Sequence, residues 1–266
     1  MYLGYSDIKE LLPVVDEKTG VVFSRYGLSF FRRRLSFVLD KLLVKKKQQF
    51  VELLDDPQFV DRFCYNMSVP VAELFRDPAY WRLMKKIIPQ RYSDKINVWF
   101  PDISSGEELY GLLIVLSQLG LLDKAAINVQ HSSQAGLDAI ASGIVTPKMD
   151  EINRSNFERT QMTGSFDDYF AKSDFDCKIN ADLMRNVTFE KKWFLNDVSE
   201  TKYDLIFFRN NSLLFGKELQ DDVFAFLHTR LNANGLLSIG IKDSLPASAK
   251  TLYALLNADE QVYMKN

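Results

Sequence analysis

Ile96-Asn-Val-Trp-Phe-Pro-Asp-Ile-Ser-Ser-Gly-Glu-Glu-Leu-Tyr110 is the stretch whose reading decides the fold. Ile96 to Phe100 is a short apolar, β-branched and aromatic run, the composition of a buried strand. Ser105 and Glu108 stand three apart ahead of an apolar run, the spacing of a capping box at a helix start. Leu109, Leu112, Leu113, Leu116 and Leu119 then recur on one helical face, and Gly120 suits the position just past the last turn. A strand, a tight loop and a helix N-terminus together form the place where α/β proteins hold nucleotides, because free amides and the helix dipole converge there.

Downstream, strand and helix patterns alternate. Strands are predicted over 125–131, 203–210 and 235–241, and residues 251–256 and 261–265 read as an antiparallel hairpin around 257–260. Repeated βα units predict a mainly parallel, doubly wound sheet. Residues 176–189 read as two strands with a turn near 183–185. Upstream, residues 1–92 read as helical. Ser6 caps a first piece that Pro13 is expected to end, and Leu28, Phe31, Leu35, Val38, Leu39, Leu42 and Leu43 mark a long amphipathic helix. That helix carries Arg32, Arg33 and Arg34, with Lys45, Lys46 and Lys47 beyond. The run is either a solvated face or a basic surface for an acidic helical partner.

The bulk numbers narrow the classes. A net charge of -2 over 266 residues lacks the basic surplus that nucleic acid requires. At 47% hydrophobic and 26% charged the chain is that of a globular protein with ample core. Cys64 and Cys177 have no metal-type spacing, and reduced structural thiols suit the cytoplasm. The opening Met-Tyr-Leu-Gly-Tyr-Ser-Asp has no secretory pattern, and no apolar run approaches the ~20 residues of a membrane helix. A cytoplasmic protein without membrane insertion is expected.

The wording of several stretches is more specific. Trp99 followed by Ser104-Ser105-Gly106-Glu107-Glu108-Leu109-Tyr110 resembles the Trp-Ser-x-Gly-Cys-Ser-Thr-Gly-Glu-Glu-Pro-Tyr motif of CheR-type chemotaxis methyltransferases. Those enzymes transfer a methyl group from S-adenosylmethionine to receptor glutamates. Arg76, Asp77 and Pro78 match the family's Asn-x-Thr-x-Phe-Phe-Arg-(Asp/Asn)-Pro linker. Asp204, Ile206, Phe207, Arg209, Asn210 and Phe215 match its Phe-Asp-x-Ile-Phe-Cys-Arg-Asn-Val-x-Ile-Tyr-Phe strand, and Asn234-Gly235 opens a matching turn and strand. The resemblance runs from about residue 6 to 265. It implies a Rossmann-like class I methyltransferase fold with an N-terminal all-helical domain over 1–92. An α/β domain follows over 93–266, with a small β-subdomain near 175–190 that in some members binds a receptor peptide by strand addition.

On the same resemblance Arg76 is the catalytic candidate, and Glu108, His131, Arg209 and Asn210 are the cofactor-binding candidates. No metal is implied. The departures also cluster around one site. Pro70 and Ala72 replace two polar linker residues, and Pro101 and Asp102 replace small residues of the loop. His131 replaces the aspartate that grips ribose, Trp193 stands near the adenine position, and Leu214 replaces a tyrosine. Proline donates no amide, aspartate repels a ligand carboxylate, and histidine lacks a carboxylate's two acceptor oxygens. Arg76 has a second reading, an ion pair with Asp102 that docks the linker. The expectation is therefore a CheR-like protein with lost or weakened S-adenosylmethionine binding that acts by contacting a chemoreceptor or other signalling protein. The alternatives are an active methyltransferase of chemoreceptor glutamates with a rearranged pocket, and a pocket reassigned to another small ligand.

Overall fold

Side chains that alternate along the central strand point into two different cores. In the computed structural model, which describes residues 3–70, 73–172 and 176–266, Trp99 packs on one face of the sheet while Val98 and Phe100 pack on the other. The first core is continuous with the N-terminal helices α1 (Tyr5–Thr19), α2 (Leu28–Lys41), α3 (Lys47–Leu53) and α4 (Pro57–Met67), through Phe31, Leu35, Phe50 and Phe63. The second core holds α5 (Pro78–Arg91), whose Tyr80 and Trp81 are almost fully buried.

The first βα unit is β1 (Ile96–Phe100) and α6 (Glu107–Gln118), followed by β2 (Ala125–His131) and α7 (Gln134–Ala141). Next come β3 (Ile144–Val145), α8 (Asp150–Arg159), β4 (Phe170–Lys172), β5 (Cys177–Ile179) and β6 (Val187–Lys191). The chain closes through β7 (Tyr203–Phe208), α9 (Lys217–Arg230), β8 (Leu231–Ile239), β9 (Tyr253–Asn257) and β10 (Val262–Lys265). The main sheet runs β6-β2-β1-β7-β8-β10-β9. Within this sheet, among the described residues, only β10 and its neighbours pair antiparallel, and Val98 of β1 lies against Leu205 of β7. This is the Rossmann-like α/β fold. The strand order reverses at β1, and in such sheets the crevice at the carboxyl ends of the strands is where ligands bind.

Three local readings are corrected. Pro13 does not end the first helix, which continues to Thr19. The carbonyl it frees belongs to exposed Lys9, so water can satisfy it. The capping box at Ser105 and Glu108 does not form. Gly106 is the N-cap, a Cβ there would lie 2.1 Å from the Tyr110 ring, and Glu108 is engaged elsewhere. Of the two strands expected over 176–189, only the first joins a small sheet, ordered β3-β5-β4. The second is β6, drawn into the main sheet beside β2. Phe175, at the edge of that expected subdomain, lies outside the described residues.

Candidate active site

Arg209 follows β7 and is the hub of the crevice. Its side chain is 1% exposed. Nε donates to Glu108 Oε1 at 2.9 Å, Nη2 to Asp77 Oδ2 at 2.7 Å and Nη1 to the Ile239 carbonyl at 3.2 Å. The guanidinium also lies 3.8 Å from the centre of the Tyr80 ring. Burial works against this charge, and Glu108, Tyr80 and Asp77 outweigh it, so the guanidinium is held more firmly protonated than usual. Two predicted cofactor ligands, Glu108 and Arg209, are therefore brought together and paired with each other. A third, Asn210, has a left-handed backbone with φ 60. Its amide donates to Asp243 Oδ2 at 2.6 Å, and among the described residues its buried Nδ2 has no hydrogen-bond partner. Asp243 also accepts from the Gly240 amide and the Ser212 hydroxyl, so it organises the turn after β8.

His131, at the tip of β2, is fully buried. Its Nδ1 accepts from the Ser133 amide at 2.8 Å, which assigns the proton to Nε2 and directs it at the Ser68 hydroxyl 3.0 Å away. Burial lowers its pKa to about 4, so the ring is neutral. Both ring nitrogens are thus occupied by protein groups at the position where the resemblance implies a ribose. Beside it, Asp61 of α4 accepts from the Gln134 and Ala135 amides and the Ser133 hydroxyl, and Lys191 Nζ lies 2.7 Å away. Burial works to raise the Asp61 carboxyl. The hydrogen bonds from Lys191, the two amides and Ser133 outweigh it and hold the group at about 2. On the other side of the crevice the Gly27 amide donates to the Leu214 carbonyl at 2.9 Å, and the Gly216 amide to Arg25 at 2.8 Å. Arg25 pairs with Asp222 at 2.7 Å. The N-terminal helices are fastened to both rims.

Little space remains between the fastenings. One cavity of about 30 Å³ is lined by Phe23, Tyr26, Met67, Asp102, Trp193 and Leu214 among others. A second of about 10 Å³ lies between Asp102, Ser104, Glu108 and Arg209. On this measure a single water needs roughly 10–15 Å³, whereas small-molecule pockets span about 300–1,000 Å³. Trp193 is 7% exposed, and among the described residues its Nε1 has no hydrogen-bond partner. Burial pushes the Asp102 carboxyl up to about 7. The Asp102–Arg76 pair does not form. Among the described residues Arg76 makes no ion pair, and its carbonyl accepts from Trp81 Nε1 at 3.0 Å. The linker is docked instead by its neighbour Asp77 through Arg209. Ala72 lies outside the described residues. Among the described residues no cluster of His, Cys, Asp or Glu is arranged to hold a metal.

Asp61, Ser68, Asp77 and Asp243 were not among the predicted site residues. Asp77 carried a signal as part of a matched motif, and Asp243 carried one as the residue that stands where the resemblance has a glutamate. Asp61 and Ser68 act across long sequence separations and resemble ordinary surface polar residues in one dimension.

Residues 71–262 match the family described as CheR methyltransferase, SAM binding domain. A Pseudomonas putida protein bearing the name of a methyltransferase, Cher3, is 28% identical over 248 residues, covering 91% of this chain and 90% of its own length. A chemotaxis protein methyltransferase of Listeria innocua is 25% identical, with 92% of each chain covered. Among solved structures, the N-methyltransferase NodS from Bradyrhizobium japonicum matches with a TM-score of 0.38 and 8% identity, over 72% of this chain and 94% of that one.

Proposed function

Because the chain belongs to the CheR methyltransferase family, whose cofactor is S-adenosylmethionine, we propose that it serves a chemotaxis or related signalling system as a methyltransferase-fold protein with weakened cofactor binding, acting through protein contacts. The observation that carries this reading is the filled crevice. The cavity beside Trp193 keeps about 30 Å³, and the one between Asp102, Glu108 and Arg209 about 10 Å³. The residues do not fit the cofactor in this arrangement. His131 has no free nitrogen for ribose, Glu108 and Arg209 neutralise each other, and Asp102 sets a side chain against the small cavity beside them.

The partner is a chemoreceptor or another cytoplasmic signalling protein, met by the helical domain over 1–92 rather than by the α/β domain over 93–266. Its basic face is narrower than the sequence suggests. Arg32 stacks on Tyr5 at 4.7 Å, Arg34 turns inward to the Ser68 carbonyl, and Lys47 pairs with Asp7 and Glu10. Arg33, Lys41, Lys45 and Lys46 remain exposed, beside Phe37 at 53% exposure. Among the described residues no helix is long and apolar enough to cross a membrane.

A second reading, an active methyltransferase of receptor glutamates, draws support from the retained Glu108–Arg209–Asp77 constellation, with Arg76 nearby as catalytic residue. It requires the Ser68–His131 and Gly27–Leu214 fastenings to open. Calorimetric titration with S-adenosylhomocysteine separates the two. The expected result is no measurable binding at micromolar concentration, and a micromolar dissociation constant overturns the first reading in favour of the second.

A further inference from the structure

Beside the filled crevice, and lined by Ser104, Ser105 and Gly106 of the loop, lies a chamber of about 280 Å³. It is enclosed by α2, the end of α4, the start of α6 and α7, and Ser68 and Ser104 form part of the wall it shares with the crevice. Its volume approaches that of small-ligand pockets, which favour such junctions. Arg34 and Lys41 enter it from one face of α2, two helical turns apart. Among the described residues neither cation has an acidic partner, and the buried Nε of Arg34 has no hydrogen-bond partner. Glu107, at the first turn of α6, lines the same space. It is 7% exposed, and its Oε2 has no partner among the described residues. The rest of the wall mixes aromatic and apolar side chains, Tyr65, Tyr110 and Ile140, with polar ones such as Asn66 and Thr146.

We propose that this chamber is a binding site for a small organic carboxylate with a flat apolar body. The Arg34 guanidinium and Lys41 ammonium hold the anionic end, as charge-assisted donors do. The unpaired oxygen of Glu107 hydrogen-bonds the same end when its carboxyl is protonated, a form that burial favours. That acid sets the class of anion. A phosphate dianion would bring two charges against a buried carboxyl, whereas a carboxylate can share a proton with Glu107 and stack its body on Tyr65.

The test is calorimetry on the full chain with benzoate, benzamide and inorganic phosphate. Benzoate should bind with a submillimolar constant, and benzamide and phosphate should not. Arg34→Gln should weaken benzoate by at least about tenfold, the loss of one charge-assisted contact. Because Arg34 also holds the Ser68 carbonyl, Ala139→Phe is the second variant. Ala139 is exposed at the chamber mouth, so its replacement should block benzoate and leave the fold intact. Benzamide or phosphate binding as tightly as benzoate, benzoate failing to bind at millimolar concentration, or binding indifferent to Ala139→Phe would each overturn the assignment. Benzoate binding that Ala139→Phe blocks reports on this chamber, and S-adenosylhomocysteine binding that Ala139→Phe leaves unchanged reports on the crevice, so the two outcomes stand apart.

Discussion

The Ser68 hydroxyl stands 3.0 Å from Nε2 of His131, which bolts the end of α4 to the strand tip that the family uses for ribose. With the ring neutral and its proton on Nε2, Nε2 donates to Ser68 while Nδ1 accepts from the Ser133 amide, and a second proton on the ring would cost the Ser133 bond. Burial lowers the histidine's pKa to about 4, so the folded chain resists a proton that the unfolded chain accepts near about 6.5. Its contribution to stability is complete above that ordinary value and is lost as pH falls through the folded value. Nitrogen NMR should therefore find a neutral Nε2–H ring down to about pH 4. A ring that titrates at its ordinary value, or that carries its proton on Nδ1, would show the bolt to be absent.

A carboxylate holds the neighbouring rim. Asp61 caps the start of α7 through two amides and the Ser133 hydroxyl, and it pairs with Lys191. Asp61→Ala should destabilise the protein by about 2–3 kcal/mol, the range for a charged cap with several donors. Its carboxyl is held at about 2 against an ordinary 3.8, so the stabilisation is present above the ordinary value and lost as pH falls towards 2. Urea unfolding of wild type and variant should differ at neutral pH and converge in acid. A constant gap would assign the loss to packing.

The βα alternation, the strand beginning at Ile96 and the closing hairpin were legible because each is written in adjacent residues with period 2 or 3.6. The helix start at 105–108 was legible in place but not in mechanism. Glu108 has the spacing of a capping residue, yet the buried charge of Arg209, 101 positions away, offers it a stronger partner. His131 shows the same limit. Its substitution for an acid was readable, but its burial depends on Ser68, which the fold brings from 63 positions away. The fate of Val187–Lys191 was not legible, since a short strand of mixed polarity suits a small sheet or the edge of a large one.

Arg209 should be the most sensitive polar residue of the crevice. Replacing it with Met leaves Glu108 and Asp77, at 14% and 23% side-chain exposure, without their shared cation. The expected loss is about 3–5 kcal/mol, typical of a buried pair broken on one side. Combining Arg209→Met with Glu108→Gln should recover part of that loss, because one of the stranded charges is gone. Denaturant titration of wild type, the two single variants and the double variant reads both effects. A double variant that loses the sum of the two single losses would mean that Glu108 and Arg209 are not energetically coupled.

Asp102 should make the protein less stable as the medium becomes more alkaline. The carboxyl faces the small cavity with Tyr26, Cys64 and Trp193, and among the described residues no cation pairs with it. Burial raises its pKa from 3.8 to about 7, so the folded chain retains a proton that the unfolded chain gives up. That stabilising term is whole below the ordinary value and disappears as pH rises through the folded one. The full swing is on the order of 4 kcal/mol, from the width of the shift at about 1.4 kcal/mol per pKa step. Asp102→Asn keeps the shape without the titration. Thermal unfolding between about pH 5 and pH 8 should show the variant gaining on wild type as pH rises, because only wild type must ionise a buried group. Parallel profiles would mean that water reaches Asp102 and that the crevice is more open than its small cavities imply.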